Sequence, residues 1–321
     1  METLQQLSQY VSDQIAALKY PASMGGLKTQ AAYALGAGGK HLRPVMTIAT
    51  CMALGGTKTQ ALNQALGVEI FHNFTLVHDD VMDKSDTRRG KPTVWAKWDE
   101  TSAILSGDAM LTLANMYVAR SAGERLERVL DLFNTAAMEV YAGQELDMQF
   151  EDRLDVTTSE YLHMILLKTA ALIRCACGLG VIMAGGDDAT LEAMKAYAVG
   201  IGMAFQLRDD YLDTYGDAAT FGKPIGGDIL NDKKTWFLTS VLESDEADNI
   251  KAIISDKSLA PDAKIAAVKE IYDRLELPGK CTKLVEQYTK MAVMALDDTP
   301  MSDENKKFFT DIAESLKTRA I

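Results

Sequence analysis

Asp79-Asp80-Val81-Met82-Asp83 closes a run of apolar, helix-forming residues, and Asp209-Asp210-Tyr211-Leu212-Asp213 closes a second such run about 130 residues later. On an α-helix, residues four apart stack on one face, so the first and fifth Asp of each pentad point the same way, with the second about 100° round the axis. Four Asp-Asp pairs occur (79/80, 187/188, 209/210, 297/298), and only these two gain a third Asp at the fifth place. At ordinary Asp usage the pattern is expected roughly 0.07 times by chance in such a chain, so two copies are not accidents.

Like charges at this spacing repel, and confining six carboxylates raises their pKa values unless cations neutralise them. Oxygen-only ligands, with no Cys or His inside either pentad, favour Mg²⁺, which keeps waters and binds through carboxylates plus substrate phosphates.

The rest of the chain narrows the setting. With 321 residues, 47% of them hydrophobic, it can bury a large core. A net charge of -12 and a pI near 4.9 argue against nucleic acid or an anionic membrane as the main partner, since both need a basic face. An anionic substrate must therefore meet a local basic cluster. Cysteines 51, 175, 177 and 281 have no metal-ligand spacing and read as reduced core residues. The opening METLQQLSQYVSDQIAAL carries no signal-peptide pattern, and the apolar run from Ala170 to Gly186 is broken by Arg174 and rich in glycine. A cytoplasmic protein with no membrane span is expected.

Leu4, Leu7, Val11, Ile15 and Leu18 repeat at three-four spacing, which predicts an amphipathic first helix stopped by Pro21. Later segments read the same way, with breaks at Gly36 to Gly39, Gly55-Gly56, Arg88 to Pro92, Arg153 to Thr157, Gly185 to Asp188, Gly216 to Gly227, Pro261 and Pro278-Gly279. Pro44 suits a first helical turn, and Thr157 to Glu160 forms a capping box. No stretch alternates like a strand, so no sheet is expected. The fold class is all-α, ten or more helices bundled round a central cavity in a single domain spanning 1–321.

Cations follow each pentad. Lys84-Ser85-Asp86-Thr87-Arg88-Arg89-Gly90-Lys91-Pro92 is a basic loop beyond the first, and tandem arginines suit bidentate phosphate binding. Gly222-Lys223-Pro224-Ile225-Gly226-Gly227-Asp228, then Lys233-Lys234, follow the second; small residues let backbone approach an anion and the lysines bring charge to it. Earlier, Lys40 and Arg43 stand just before a helix N-terminus, where the dipole favours anions. These clusters describe two anionic subsites, one bridged by metal and one held by side chains.

From about residue 36 to 236 the chain resembles the trans-isoprenyl diphosphate synthases, a polyprenyl synthetase family that condenses isopentenyl diphosphate with an allylic diphosphate. Asp79 to Pro92 is similar to the family's first aspartate-rich motif, and Phe205-Gln206-Leu207-Arg208 with the second pentad is similar to the other. The resemblance implies a Mg²⁺ set, three ions bridging the allylic diphosphate, held by Asp79, Asp83, Asp209 and Asp213, with Asp80 and Asp210 supporting. It implies that Arg88 holds the allylic diphosphate and that Lys40, Arg43, His72 and Arg89 hold the isopentenyl one. Lys168, Thr169 and Gln206 would line the reacting carbons, Lys223 and Lys233 match the lysines of the glycine loop, and Gly143-Gln144 with Asp147 is similar to another family motif. A homodimer is also implied. No family motif stands in the last 80 or so residues, and how Lys317 or Arg319 acts is left open.

In the implied chemistry the allylic carbon-oxygen bond breaks, the second substrate's double bond attacks the cation, and a proton is lost. Phe74, Thr75 and Phe71, five, four and eight residues before Asp79, lie one and two turns deeper along the helix and would floor the product cavity, giving C15 to C20 products with C20 slightly preferred. Other readings are a terpene cyclase or a head-to-head condensing enzyme, which need no isopentenyl subsite, and a non-catalytic helical partner. More remotely, Glu69-x-x-His72 and Glu160-x-x-His163 have the spacing of di-iron bundles.

Overall fold

The computed structural model describes residues 1–217 and 225–318, and their regular structure is helical except for one two-stranded ladder. Lys223 and Arg319 lie outside the described residues. The chain forms two compact units: Met1–Thr135 with Cys175–Lys195 and Asp298–Phe308, and Ala136–Arg174 with Ala196–Asp297 and Phe309–Ile321.

The first unit holds α1 (Leu4–Ala16), α2 (Leu27–Leu35), α3 (Leu42–Ala53), α4 (Lys58–Met82), α5 (Val94–Lys97) and α6 (Glu100–Ala119). α1 buries Leu7, Val11 and Ile15 as its spacing predicts, but ends at Ala16, well before Pro21. Its start is fixed by a Thr3/Gln6 capping box. Pro44 falls in the first turn of α3.

α4 is the spine of this unit. Gln64 to Phe71 are buried without interruption, so no face of its middle meets water. Glycines let α6 come close: a Cβ on Gly67 of α4 would stand 2.3 Å from Val118, and one on Gly107 of α6 would stand 2.2 Å from the His78 ring. Buried Gln64 donates to the carbonyls of Val118 and Arg120, two orphan acceptors at the end of α6.

The basic loop contains an unexpected ladder in which Thr87 pairs with Pro92 and Arg88 with Lys91. Two-residue strands are too short to alternate, so no periodicity announces them. Arg89 and Gly90 make the turn with φ of 54° and 72°, the left-handed pair a tight hairpin demands.

In the second unit, the part of α10 (Asp188–Tyr215) from Ala196 onward is the spine. Gly200 meets the backbone of helix Leu277–Ala295, where a Cβ would lie 2.7 Å from the Tyr288 carbonyl. Pro278 sits in that helix's first turn, as a starter rather than a break. Helix Thr158–Ala184 is long and apolar enough to cross a membrane, yet 78% of its most apolar window is buried inside the protein. It comprises α8 (Thr158–Ile165, with the Thr157/Glu160 capping box), a π-helical turn (Leu166–Ala170) and α9 (Ala171–Ala184).

Candidate active site

The first pentad closes α4, with Asp83 as its C-terminal cap. Three carboxylates at the negative end of a helix dipole, with no basic residue in the last turn, are unfavourable until a cation joins them. Asp79 is half-buried and Asp83 exposed, one turn apart on one face. Asp80 is buried and accepts a 2.7 Å bond from Arg88 Nε, which the hairpin turns back towards it. Burial raises the Asp80 pKa and Arg88 only partly opposes that.

The residues expected to hold the isopentenyl diphosphate lie in the same unit. Arg43 Nη1 donates to His72 Nε2 at 3.3 Å, so His72 accepts on that nitrogen. Burial and the arginines hold the His72 pKa well below the usual range, and the ring is neutral. Arg89 donates to the Gly38 carbonyl and its guanidinium lies against Gly39, 3.1 Å from where a Cβ would stand. Burial, with Arg89 nearby, lowers the Arg43 pKa to about 10, and its buried Nε has no hydrogen-bond partner among the described residues. This strained cationic cluster fits an anion. Lys40 is exposed beside it in sequence.

Sequence reasoning missed the carboxylate that supports the cluster. His41, in a left-handed conformation before α3, bonds buried Glu69 at 2.9 Å, and Asn73 donates to the same oxygen at 3.1 Å. Glu69 is thus committed to the cluster, and Glu160 to its capping box and Arg153, which removes the di-iron reading.

In the second unit, Asp209 is half-buried while Asp210 and Asp213 are buried. Asp210 accepts from the Tyr161 hydroxyl at 2.5 Å, the Trp236 N–H at 3.1 Å and Gln206 Nε2 at 3.1 Å. Burial, with Asp228 adding negative charge, raises its pKa to about 7 against those three bonds. Asp213 accepts the Asp228 N–H at 2.9 Å, and its carbonyl accepts that of Gly226, anchoring the glycine segment. Lys168 pairs with Asp147 at 2.5 Å, and the Thr169 hydroxyl donates to Gln206 Oε1 at 3.1 Å. Of the two adjacent lysines, Lys233 is exposed, but Lys234 departs from the expected role: it is buried, donating to the Glu151 carbonyl at the end of α7 (Leu126–Glu151). A helix C-terminus satisfies that ammonium.

The polyprenyl synthetase family model matches residues 26–275. The chain belongs to the polyprenyl synthetase family. A short chain isoprenyl diphosphate synthase of Methanothermobacter thermautotrophicus is 37% identical over 268 residues, 83% of this chain and 82% of its own. A solved geranylgeranyl pyrophosphate synthase is 38% identical and superposes with a TM-score of 0.94 over 99% of both chains. A polyprenyl synthase from Caulobacter crescentus CB15, solved with calcium and isoprenyl diphosphate, is 27% identical with a TM-score of 0.84, over 99% of this chain and 95% of that one. The chain is therefore a prenyltransferase, a short-chain trans-prenyl diphosphate synthase with the all-α fold expected.

A divalent ion belongs to this family's chemistry, and the donors suit it: in each pentad they are oxygen alone, at helical spacing. Among the described residues no three His, Cys, Asp or Glu form a closed metal cage. Mg²⁺ needs none, as one or two carboxylates, waters and phosphate oxygens complete its shell. The proposed floor residues lie inside α4's packing: Phe71 and Phe74 are buried, Phe71 meets Phe133 and Phe74 meets His78 edge-on, and the Thr75 hydroxyl bonds the His72 carbonyl. Tyr161 is the synthase residue for which no motif gave warning. Its partner stands 49 positions away, beyond any helical spacing rule.

Proposed function

We propose that this synthase catalyses Mg²⁺-dependent, head-to-tail condensation of isopentenyl diphosphate with allylic diphosphates to C15 to C20 products, geranylgeranyl diphosphate slightly preferred. The observation that carries it is the cluster of Arg43, Arg89 and neutral His72, set apart in kind from the carboxylate motif of the same unit. A metal-dependent cyclase needs the pentads, but a second cationic subsite built without a metal suits a second diphosphate.

In this reading Asp79, Asp83, Asp209 and Asp213 supply oxygens to Mg²⁺. When bound, the metal neutralises the charge that gathers on the departing allylic diphosphate. Arg88 and Lys168 hold that diphosphate, and Lys223 and Lys233 add charge to it. Lys40, Arg43, His72 and Arg89 hold the isopentenyl diphosphate and orient its double bond for attack. Thr169 and Gln206 offer oxygen lone pairs to the allylic cation without capturing it. The departing diphosphate takes the final proton, so no side-chain base is required.

Phe74, with Phe71 behind it, floors the product cavity. We further propose that the chain acts as one catalytic domain, since one reaction calls on both pentads, and as a homodimer, since Ile104, Leu105 and Met116 lie exposed along α6. The test is incubation with Mg²⁺, isopentenyl diphosphate and each of the C5, C10 and C15 allylic diphosphates, with products read by mass spectrometry. Products ending at C15 or C20 agree with the reading, and Phe74→Ala should lengthen them. Absence of isopentenyl diphosphate consumption with every starter refutes it.

A further inference from the structure

Four side chains and one backbone amide of the second unit form a hydrogen-bonded chain with a single direction. The Thr169 hydroxyl donates to Gln206 Oε1, and Gln206 Nε2 donates to Asp210 Oδ1. The Tyr161 hydroxyl and the Trp236 N–H both donate to Asp210 Oδ2. An ionised carboxylate only accepts, whereas a primary amide has one accepting and one donating end. With Asp210 ionised, a Gln206 amide turned the other way would set its oxygen against the carboxylate, so the carboxylate decides which end meets Thr169.

That decision matters chemically. With its oxygen towards Thr169, Gln206 absorbs the hydroxyl proton, leaving oxygen lone pairs on both residues for a developing cation. Reversed, the pair would offer N–H and O–H protons, the wrong sign of dipole for a carbocation. The backbone under Thr169 is fixed as well. The π turn Leu166–Ala170 is pressed between glycines: a Cβ on Gly143 would lie 2.4 Å from Lys168 N, and one on Gly202 2.5 Å from Ala170 Cα. Asp210 itself is 3% exposed, with both oxygens engaged by protein donors.

We propose that Asp210 is a positioning residue rather than a metal ligand: clamped by Tyr161 and the Trp236 amide, it orients Gln206 so that Gln206 and Thr169 stabilise the allylic cation through oxygen. This assignment rests on the prenyl-elongation reading above. Tyr161→Phe removes one donor to Asp210 with little change in volume, which loosens the clamp without touching substrate.

The experiment is steady-state kinetics of wild type and Tyr161→Phe with a C15 allylic diphosphate and isopentenyl diphosphate, alongside calorimetric titration of Mg²⁺ and a non-reactive thiolo analogue of the allylic diphosphate. The expected result is a kcat lowered roughly tenfold or more, both KM values within about twofold, and unchanged analogue binding. Asp210→Asn serves as a second variant should Tyr161→Phe not fold, and the same kcat loss at unchanged Mg²⁺ half-saturation is expected. A wild-type kcat in the folded Tyr161→Phe protein overturns the proposal. So does a raised Mg²⁺ requirement or weakened analogue binding in Asp210→Asn, which would make Asp210 a ligand. A wild-type chain that consumes no isopentenyl diphosphate overturns the elongation reading and this assignment with it, so the two failures are distinguishable.

Discussion

Asp80 and Asp210 hold the same place in two copies of one motif, and each is no more than 4% exposed. Asp80 meets a cation, Arg88, while Asp210 meets a hydroxyl, a peptide N–H and a side-chain amide. The fifth residues differ too: Asp83 is exposed, whereas buried Asp213 holds the Asp228 amide. A repeated spacing therefore fixes which faces carboxylates occupy along a helix and says little about what neutralises them. The first pentad exposes its last carboxylate, Asp83, and ion-pairs its inner one. The second is wired into its own unit by dipoles.

The largest effect should come from the residues both copies share in kind. Asp79→Ala is expected to cut the rate of isopentenyl diphosphate incorporation ~10³-fold or more, the scale of losing transition-state charge stabilisation. Its melting temperature should hold or rise, because a carboxylate leaves a helix C-terminus. Initial rates at saturating Mg²⁺ and a thermal melt check both halves.

Next comes pH, where the inner residues part company. Asp210 has a folded pKa of about 7 against ~3.9 unfolded, so the folded state binds the extra proton. Its stabilising contribution is present below about pH 4 and lost as pH rises through about 7. The metal-free protein should lose on the order of 4 kcal/mol across that window from this residue, and Asp210→Asn should flatten the profile. Denaturant melts at stepped pH decide it. An identical slope in the variant would mean that the bonds to Tyr161 and Trp236 already hold Asp210 ionised at low pH.

Arg88→Ala strips Asp80 of its cation. As the arginine is about a third exposed and water replaces part of what it gives, a loss of ~1–2 kcal/mol is expected in urea unfolding at pH 7, shrinking as pH falls and Asp80 protonates. Smallest is Asp83→Asn, which removes an exposed charge from a helix end. It should stabilise the metal-free protein by ~0.3–1 kcal/mol and raise the Mg²⁺ half-saturation concentration. If both outer residues could be neutralised without touching the Mg²⁺ requirement, the division between outer ligands and inner support would collapse.

Much of the helical plan was legible because apolar spacing, Pro44, the Thr157/Glu160 box and the glycine breaks act locally. The carboxylates and arginines were legible for the same reason; Arg88 reaches Asp80 across eight residues. What stayed hidden depends on distant packing. Tyr161 is named only by Asp210, Lys234 only by the end of α7, and Glu69 only by His41 and Asn73. The ladder at Thr87–Pro92 is too short for a pattern. Leu166–Ala170 reads as ordinary helix, and its wider turn is seen only with the backbones that Gly143 and Gly202 admit beside it.

That wider turn works like an inserted tooth in a gear. A π turn absorbs one residue more than the α-helix needs, so the helix before it and the helix after it keep one angular phase. Deleting one residue of Leu166–Ala170 would close the turn to α geometry and leave the later side chains near their present angles. Cys175, Cys177 and Leu179, none of them exposed, would keep the positions they now fill. The fold should therefore survive a one-residue deletion here, while Lys168 and Thr169, inside the turn, would lose the placement that the extra residue gives them.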